Sequence, residues 1–443
     1  MIAWKPTAGS LPLGCLLAAT LWCAPLRVEA SHPRLGGPTD AVLAILESRA
    51  DLGDSRAADR LTDLGAQASA PVVRLLLTPP EDSEEEELQG LSFDERRFLL
   101  NQLRELPLPG VLAEVNAWID SELSLDRRLI VIEVLAATEQ AGALEPTIEV
   151  YLGLPDELAQ QSVSRRALKS ALLQFLNADP ALCDPLATLA LEETAPVGLT
   201  LTAIEALGEL GAMASVPALE QALEQRPIWT TEALEALGIL KPFLVDDRIE
   251  RALEIGEEHL TAADPKHRRA AVQLVAALGE FEHLESLIER LDDEDSRVRS
   301  AVDRALTQRT GRRQRQSQDD WFDWIDSEHR WLEERQFDLL EALEQGTTGA
   351  AAAALRELGE HPWHRASTTA LLQAGTDREE QHLALHACLL LADAGGPQAG
   401  EVLLELLRDG REGIRGAAYE ALQGMTHHDL PPDYFLWQER LRR

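Results

Sequence analysis

Apolar residues recur along this chain at positions i, i+3, i+4, i+7 and i+8 in four separate windows. The windows begin at Thr200, Thr230, His267 and Val298, and the first continues through Ala203, Ile204, Leu207 and Gly208. This spacing places one apolar stripe along one side of an amphipathic helix. The window starts lie 30, 37 and 31 residues apart, a period typical of stacked helical pairs. The sequence therefore predicts an all-α fold, a superhelical α-solenoid of stacked antiparallel helix pairs.

Glycine and proline mark the turn inside several of these pairs. Leu207-Gly208 is followed by Pro217, and Leu64-Gly65 is followed by Pro71. Glycine is favoured just after a helix, and proline is tolerated in the first turn of the next one, where its missing N–H removes no helical hydrogen bond. The same order therefore predicts that one helix ends and its antiparallel partner begins within about ten residues.

The window around Val298 carries a more specific signature. Its members are Asp295, Val298, Arg299, Ala301, Ala305 and Leu306, and a second copy near the C-terminus has Ile414, Arg415 and Ala418. This segment resembles the HEAT repeats and the PBS-lyase HEAT-like repeats, which are armadillo-type helical repeats. The resemblance implies that Asp295 caps the helix, that Val298 enters the core, and that Arg299 bonds toward a neighbouring turn.

The chain divides into segments on this basis. The predicted organisation is a signal peptide at 1–30, N-terminal helical pairs at 31–78, an acidic loop at 79–91, HEAT-like repeats at 92–308, a basic polar break at 309–320, and C-terminal HEAT-like repeats with a cap at 321–443.

The first 30 residues have the three-part layout of a secretory signal. Lys5 precedes an apolar stretch from Leu11 to Leu26, and Val28-Glu29-Ala30 supplies small residues at the −3 and −1 positions of a cleavage site. We therefore expect a mature chain that begins at Ser31, is exported to the periplasm or the medium, and is not inserted in the membrane. The alternative is an uncleaved N-terminal segment that tethers the protein to the membrane.

The charge of the chain restricts its partners. Its formal net charge is −35, with 76 Asp and Glu against 41 Lys and Arg. Such a field repels phosphate backbones and anionic lipid surfaces, so no nucleic-acid partner is expected. The acidity serves solubility or adaptation to a salty medium, or it favours a partner with a basic surface.

The basic polar break is followed by tryptophans. Trp321 and Trp324 lie at i and i+3 on one predicted helical face. They form either a packing contact where the solenoid bends or an exposed aromatic platform for a ligand. The arginines of 309–315 are expected to face the acidic surface of the chain itself.

Candidate chemistry is sparse. The sequence contains no motif typical of a catalytic site or a phosphate loop, so we expect no catalytic residue, no cofactor and no enzyme activity. His382 and His386, at i and i+4, are weak candidates for metal ligands, although a metal site needs three or four converging ligands. Cys183 and Cys388 sit in apolar contexts and are expected to be buried thiols.

These observations favour an exported scaffold that binds a protein partner on its concave face. Resemblance to the PBS-lyase branch leaves a lyase-like, cofactor-handling or metal-handling protein as an alternative. A structural component of the cell envelope is a third interpretation. The sequence leaves the identity of the partner and the oligomeric state open.

Overall fold

The computed structural model describes residues 38–78, 91–119, 124–312, 317–361, 363–427 and 429–442. The predicted signal peptide at 1–30, nearly all of the acidic loop at 79–91, and residues 313–316 of the basic break lie outside these ranges. Within them the chain forms α-helices and short 3-10 turns and no strand, which confirms the predicted all-α solenoid.

The first part of the chain holds seventeen α-helices among the described residues. They are α1 (Pro38–Leu52), α2 (Asp54–Leu64), α3 (Ala66–Leu77), α4 (Phe93–Gln102), α5 (Leu108–Ile119), α6 (Leu125–Ala136), α7 (Leu144–Leu152), α8 (Asp156–Ala159), α9 (Ser162–Ala178), α10 (Cys183–Ala190), α11 (Val197–Leu210), α12 (Val216–Gln225), α13 (Thr230–Leu237), α14 (Asp247–His259), α15 (Pro265–Leu278), α16 (Leu284–Ile288) and α17 (Ser296–Thr310).

The remaining helices follow the basic break. They are α18 (Gln318–Glu344), α19 (Thr348–Glu360), α20 (Arg365–Thr376), α21 (Gln381–Ala394), α22 (Gly396–Leu406), α23 (Glu412–Thr426) and α24 (Tyr434–Arg442). With 27 residues, α18 is the longest of the described helices. None of the helices in the described ranges combines the length and the apolar character that a membrane crossing needs.

The central helices stack in two rows. The first row consists of α6, α9, α11, α13, α15 and α17, and each contacts the next one in the row. The second row consists of their partners α7, α10, α12, α14 and α16, and it continues through α18, α20, α22 and α24. A short 3-10 turn leads into four of the second-row helices, at Ala141–Ala143, Pro180–Leu182, Met213–Ser215 and Phe281–His283.

Close approach within the first row depends on small residues. A Cβ atom added at Gly208 of α11 would lie 2.7 Å from the Cβ of Ala236 and 2.8 Å from its Cα, in α13. Both distances are shorter than van der Waals contact, so only glycine fits at this crossing. The glycine of the first sequence window is therefore part of the contact between neighbouring repeats.

Buried and half-buried arginines tie the turns of successive repeats together. The guanidinium of Arg226 donates hydrogen bonds to three backbone carbonyls in 192–195, at 2.6 to 3.1 Å. Arg378 and Arg411 repeat this arrangement one repeat apart, each donating to carbonyls 32 to 35 residues earlier. These charge-assisted bonds satisfy carbonyls that the helix ends leave without partners.

The helix α18 joins two parts of the core. Near its start, Trp321, Trp324 and Ile325 are buried among residues of α15 to α17. Near its end, Leu339 and Leu343 belong to a separate apolar cluster formed with α19 to α24. The tryptophans are therefore packing contacts at a junction, which is one of the two interpretations that the sequence allowed.

At the junction the solenoid folds back on itself. The backbone N–H of Val245, in the turn between α13 and α14, donates a hydrogen bond of 3.2 Å to the carboxylate of Glu401 in α22. Beside it, a Cβ atom at Gly400 would lie 2.0 Å from the carbonyl oxygen of Phe243. The C-terminal repeats thus rest directly on the backbone of a central turn.

The two cysteines in the described part of the chain are free and buried, as expected. Cys183 is 1% exposed and Cys388 is not exposed. Burial raises the pKa of each thiol to about 11, so both remain protonated and behave as small apolar side chains.

Candidate partner-binding face

The second row of helices has an unbalanced charge. Its members α7, α10, α12 and α16 contain no lysine or arginine. They expose carboxylates that have no ion-pair partner among the described residues, namely those of Glu145, Glu149, Asp184, Glu224 and Glu285. Each second-row helix packs its apolar side on the first row, so these carboxylates project on the opposite, solvent-facing side.

The arginines of α14 do not offset this charge. Arg248 pairs with Asp246 at 2.6 Å, and Arg251 pairs with Glu220 and with Glu254, the latter at 3.0 Å. The hydrogen bonds that Arg251 donates to Glu220 and Glu254 hold the pKa of Arg251 above its ordinary value. Further exposed carboxylates on α14 are those of Glu250, Glu257 and Glu258.

The first row contrasts with the second because its charges pair between neighbouring helices. Lys169 of α9 lies 2.8 Å from Glu209 of α11, and Arg165 of α9 likewise pairs with Glu205. Glu235 of α13 pairs with an arginine of α15 at 3.0 Å. The negative field of the repeats is therefore concentrated on the second-row side, which we call the second-row face.

The second-row face continues along α18. The side of this helix that faces solvent carries the carboxylates of Asp323, Asp326, Glu333, Glu334 and Glu341. A single large apolar residue, Phe337, lies among them and is 74% exposed. The buried side of the same helix faces the two apolar clusters described above.

A polar cluster fixes α18 to the segment before α20. The buried carboxylate of Glu328 accepts a hydrogen bond of 3.0 Å from Trp324 Nε1, and its other oxygen lies 2.7 Å from His361 Nδ1. The ring of His361 stacks on Trp331 at 3.8 Å. Burial lowers the pKa of the neighbouring His364. One oxygen of the Glu328 carboxylate is therefore bonded within α18, and the other holds α18 to the segment before α20.

The described part of the basic break turns inward. Arg309 is largely buried and donates a hydrogen bond of 2.5 Å to the carbonyl of Gly279, and burial lowers its pKa to about 10. The guanidinium of Arg312 lies 5.2 Å from the centre of the Trp324 ring. Both arginines therefore contact the protein itself.

A groove of about 570 Å³ lies where the C-terminal repeats meet the central turns. Its lining includes Lys241, Phe243 and Val245 from the α13–α14 turn, and Arg440 and Leu441 from α24. The lining combines apolar side chains with charged side chains of both signs. It lies at the fold-back contact and beside the acidic helix α14.

The residues of the repeat signature lie at the start of α17 and in the core. The side chain of Asp295 caps α17 by accepting a hydrogen bond of 2.7 Å from the Arg297 N–H. The buried members of the signature are Val298, Ala305, Leu306, Ile414 and Ala418, while Ala301 is half-buried.

The signature arginine donates hydrogen bonds to backbone carbonyls of the preceding turn in each repeat. Arg299 donates to the carbonyls of Asp293 and Glu294, and Arg415 donates to the carbonyl of Asp409, in each case within the turn that precedes the arginine's own helix. Arg268, at the same repeat position, also reaches the next repeat, where its paired hydrogen bonds lower the pKa of Asp293. The arginine therefore fastens the turn between repeats.

The two candidate metal-ligating histidines, His382 and His386, lie exposed on α21. In the part of the chain that the structure describes, no three histidine, cysteine or carboxylate side chains converge as a metal ligand set would.

Comparison with known proteins agrees with this geometry. Residues 256–319, which include α15 to α17 and the signature at Asp295, match the sequence family of HEAT repeats. This stretch of the chain therefore contains HEAT repeats. No curated protein sequence matches the chain.

Two solved structures are similar to this chain at low TM-scores. The complex of CpcE and CpcF of phycocyanin lyase from Nostoc sp. PCC7120 has a TM-score of 0.25 and 21% identity, over 56% of this chain and 92% of that chain. Human deoxyhypusine hydroxylase in complex with glycerol has a TM-score of 0.22 and 16% identity, over 83% of this chain and 100% of that chain.

Sequence reasoning missed Phe337 and Glu328. The tryptophans of α18 drew attention to its buried side, whereas the informative stripe lies on its solvent side. The spacing of Glu333, Phe337 and Glu341 at i, i+4 and i+8 was a readable signal, because residues four apart share one helical face. The role of Glu328 depends on a partner 33 residues away, which no local pattern indicates.

Proposed function

We propose that this HEAT-repeat protein is an exported scaffold that binds a protein partner bearing exposed lysine and arginine, and that it performs no chemistry of its own. The observation that supports this proposal is the unpaired acidity of the second-row face beside a first row whose charges pair internally. A surface of one sign that leaves its charges without partners is suited to a partner of the opposite sign.

The expected binding is cumulative and sensitive to salt. Each exposed ion pair contributes about 0.2–1 kcal/mol, so no single carboxylate on the second-row face decides affinity. Several pairs along successive repeats add up, and a rigid stack of repeats holds them in register. Because exposed pairs are screened by salt over about 10 Å at 0.1 M, the complex should weaken as ionic strength rises.

Site-specific photocrosslinking in the native host tests this proposal. A benzoylphenylalanine at position 257, on the second-row face, should form a crosslinked adduct with the partner. The yield of this adduct should fall steeply when the cells are lysed into high salt before irradiation. The matched control carries the same probe at Gln273, an exposed position of α15 in the first row. Adducts formed only from position 273, or adducts at 257 that are indifferent to salt, would contradict the proposal.

Export is tested separately by the mass of the protein purified from its host. Cleavage after Ala30 should give an N-terminus at Ser31, and osmotic shock or the culture medium should release the protein. A mass that retains Met1, with the protein held in the membrane pellet, would instead support the tethered alternative.

A further inference from the structure

We propose that Phe337 and the carboxylates around it form an anchor site for an arginine or lysine side chain of the protein partner. This inference rests on the proposed function and names the point on the second-row face where a cationic side chain is held. It is argued from the exposure of one ring and from the spacing of the unpaired carboxylates around it.

The ring of Phe337 is open to solvent on the side of α18 that faces away from the core. It is 74% exposed, whereas Leu339 and Leu343 on the other side of the helix are buried. A single exposed apolar side chain is common on protein surfaces and indicates little by itself. What distinguishes Phe337 is the chemistry of its neighbours.

Carboxylates surround the ring at helical spacing. Glu333 precedes Phe337 by four residues, Glu334 precedes it by three, and Glu341 follows it by four. Residues three and four apart on a helix are neighbours, with Cβ atoms about 5–6 Å apart. None of these three carboxylates has an ion-pair partner among the described residues, whereas the adjacent Asp338 is paired with Arg335 at 2.8 Å.

An aromatic face ringed by carboxylates is suited to a cationic side chain. The face of the ring attracts a guanidinium or ammonium group through its quadrupole, by about 0.5–1 kcal/mol when exposed and about 2 when desolvated. The carboxylates add ionic attraction, and they repel an acidic or phosphorylated partner. An aliphatic side chain would gain nothing from the three charges, so arginine or lysine is the occupant that the site favours.

The chain supplies a matched control in Phe435. This residue is 70% exposed on α24, so its ring is about as exposed as that of Phe337. Its helix ends in Arg440 and Arg442, and its ring already contacts Tyr434 edge-on, with centroids 5.3 Å apart. A site that requires carboxylates should therefore discriminate between positions 337 and 435.

Fluorine NMR tests the anchor site directly. The full chain would carry 4-fluorophenylalanine at position 337, or at position 435 in a second sample. The probe is a short peptide that alternates leucine and arginine, and its comparison peptide has citrulline, the neutral isostere, at every arginine. The arginine peptide should shift the resonance at 337 saturably and bind about tenfold more tightly than the citrulline peptide, without a saturable shift at 435.

Substitution of the charges completes the test. The triple variant Glu333→Gln, Glu334→Gln and Glu341→Gln keeps the ring. It should lower the affinity of the arginine peptide by about tenfold. Equal affinity for the two peptides, or no saturable shift at 337, would overturn the anchor site. If crosslinking at position 257 persists in that case, the second-row face stands and only the anchor is wrong. If the 337 shift is seen without that crosslink, the wider interface is wrong.

Discussion

An aspartate in place of Val298 should lower the free energy of unfolding by about 3–5 kcal/mol. Val298 is fully buried in α17, in a cluster that includes Leu287, Ile288 and Trp321. The new carboxylate would have no cation within this apolar cluster, so it would be either protonated at a cost or exposed by local unfolding. Urea unfolding followed by far-UV circular dichroism should show the shift.

Ser300→Asp is the matched control for Val298→Asp. Ser300 lies two residues further along the same helix and is exposed. The same charge there stays in water, so the unfolding midpoint should change little, within about 0.5 kcal/mol. Equal effects of the two substitutions would mean that the apolar stripe of α17 is not part of the core.

Gly400→Ala should separate the C-terminal repeats from the central turn. The added Cβ would lie 2.0 Å from the Phe243 carbonyl oxygen and 3.1 Å from its carbonyl carbon. Both atoms belong to the backbone, so no side-chain rotation relieves the contact, and α22 must move away. Small-angle X-ray scattering should show a larger radius of gyration, and the hydrogen bond from Val245 to Glu401 should be lost, exposing that amide to hydrogen exchange.

Gly416→Ala provides the control for Gly400→Ala. A Cβ atom at Gly416, in α23, meets no atom within 4 Å. Alanine is about 1 kcal/mol better than glycine inside a helix, so this variant should be slightly more stable and keep the same radius of gyration. An unchanged scattering curve for Gly400→Ala would show that the fold-back contact does not persist in solution.

The fold was largely predictable because its determinants are local. The apolar stripes and the cap at Asp295 act within one or two turns of helix, and they predicted α17 and its neighbours. The tryptophans of α18 could be assigned to a helical face, but the choice between a packing contact and a ligand platform required the structure. That choice depends on residues such as Phe281, 5.7 Å from Trp324 between ring centres.

The fold-back contact could not be predicted from the sequence. It joins Val245 to Glu401, which are 156 residues apart. Its position depends on the small rotation that each repeat adds to the next, and these rotations accumulate. The second-row face could be predicted only in part. The sequence showed the net charge, but the concentration of negative charge on one row appeared only when the ion pairs within the first row, such as Lys169 with Glu209, were known.

The fold-back contact also limits how this protein can change in length. An open solenoid gains or loses a repeat with little penalty, because each unit touches only its neighbours. Here the units between α14 and α22 must bring Gly400 to one particular carbonyl oxygen. Duplication or deletion of one unit in that interval would rotate and displace α22 past the turn it rests on. Repeat number should therefore be fixed in that interval.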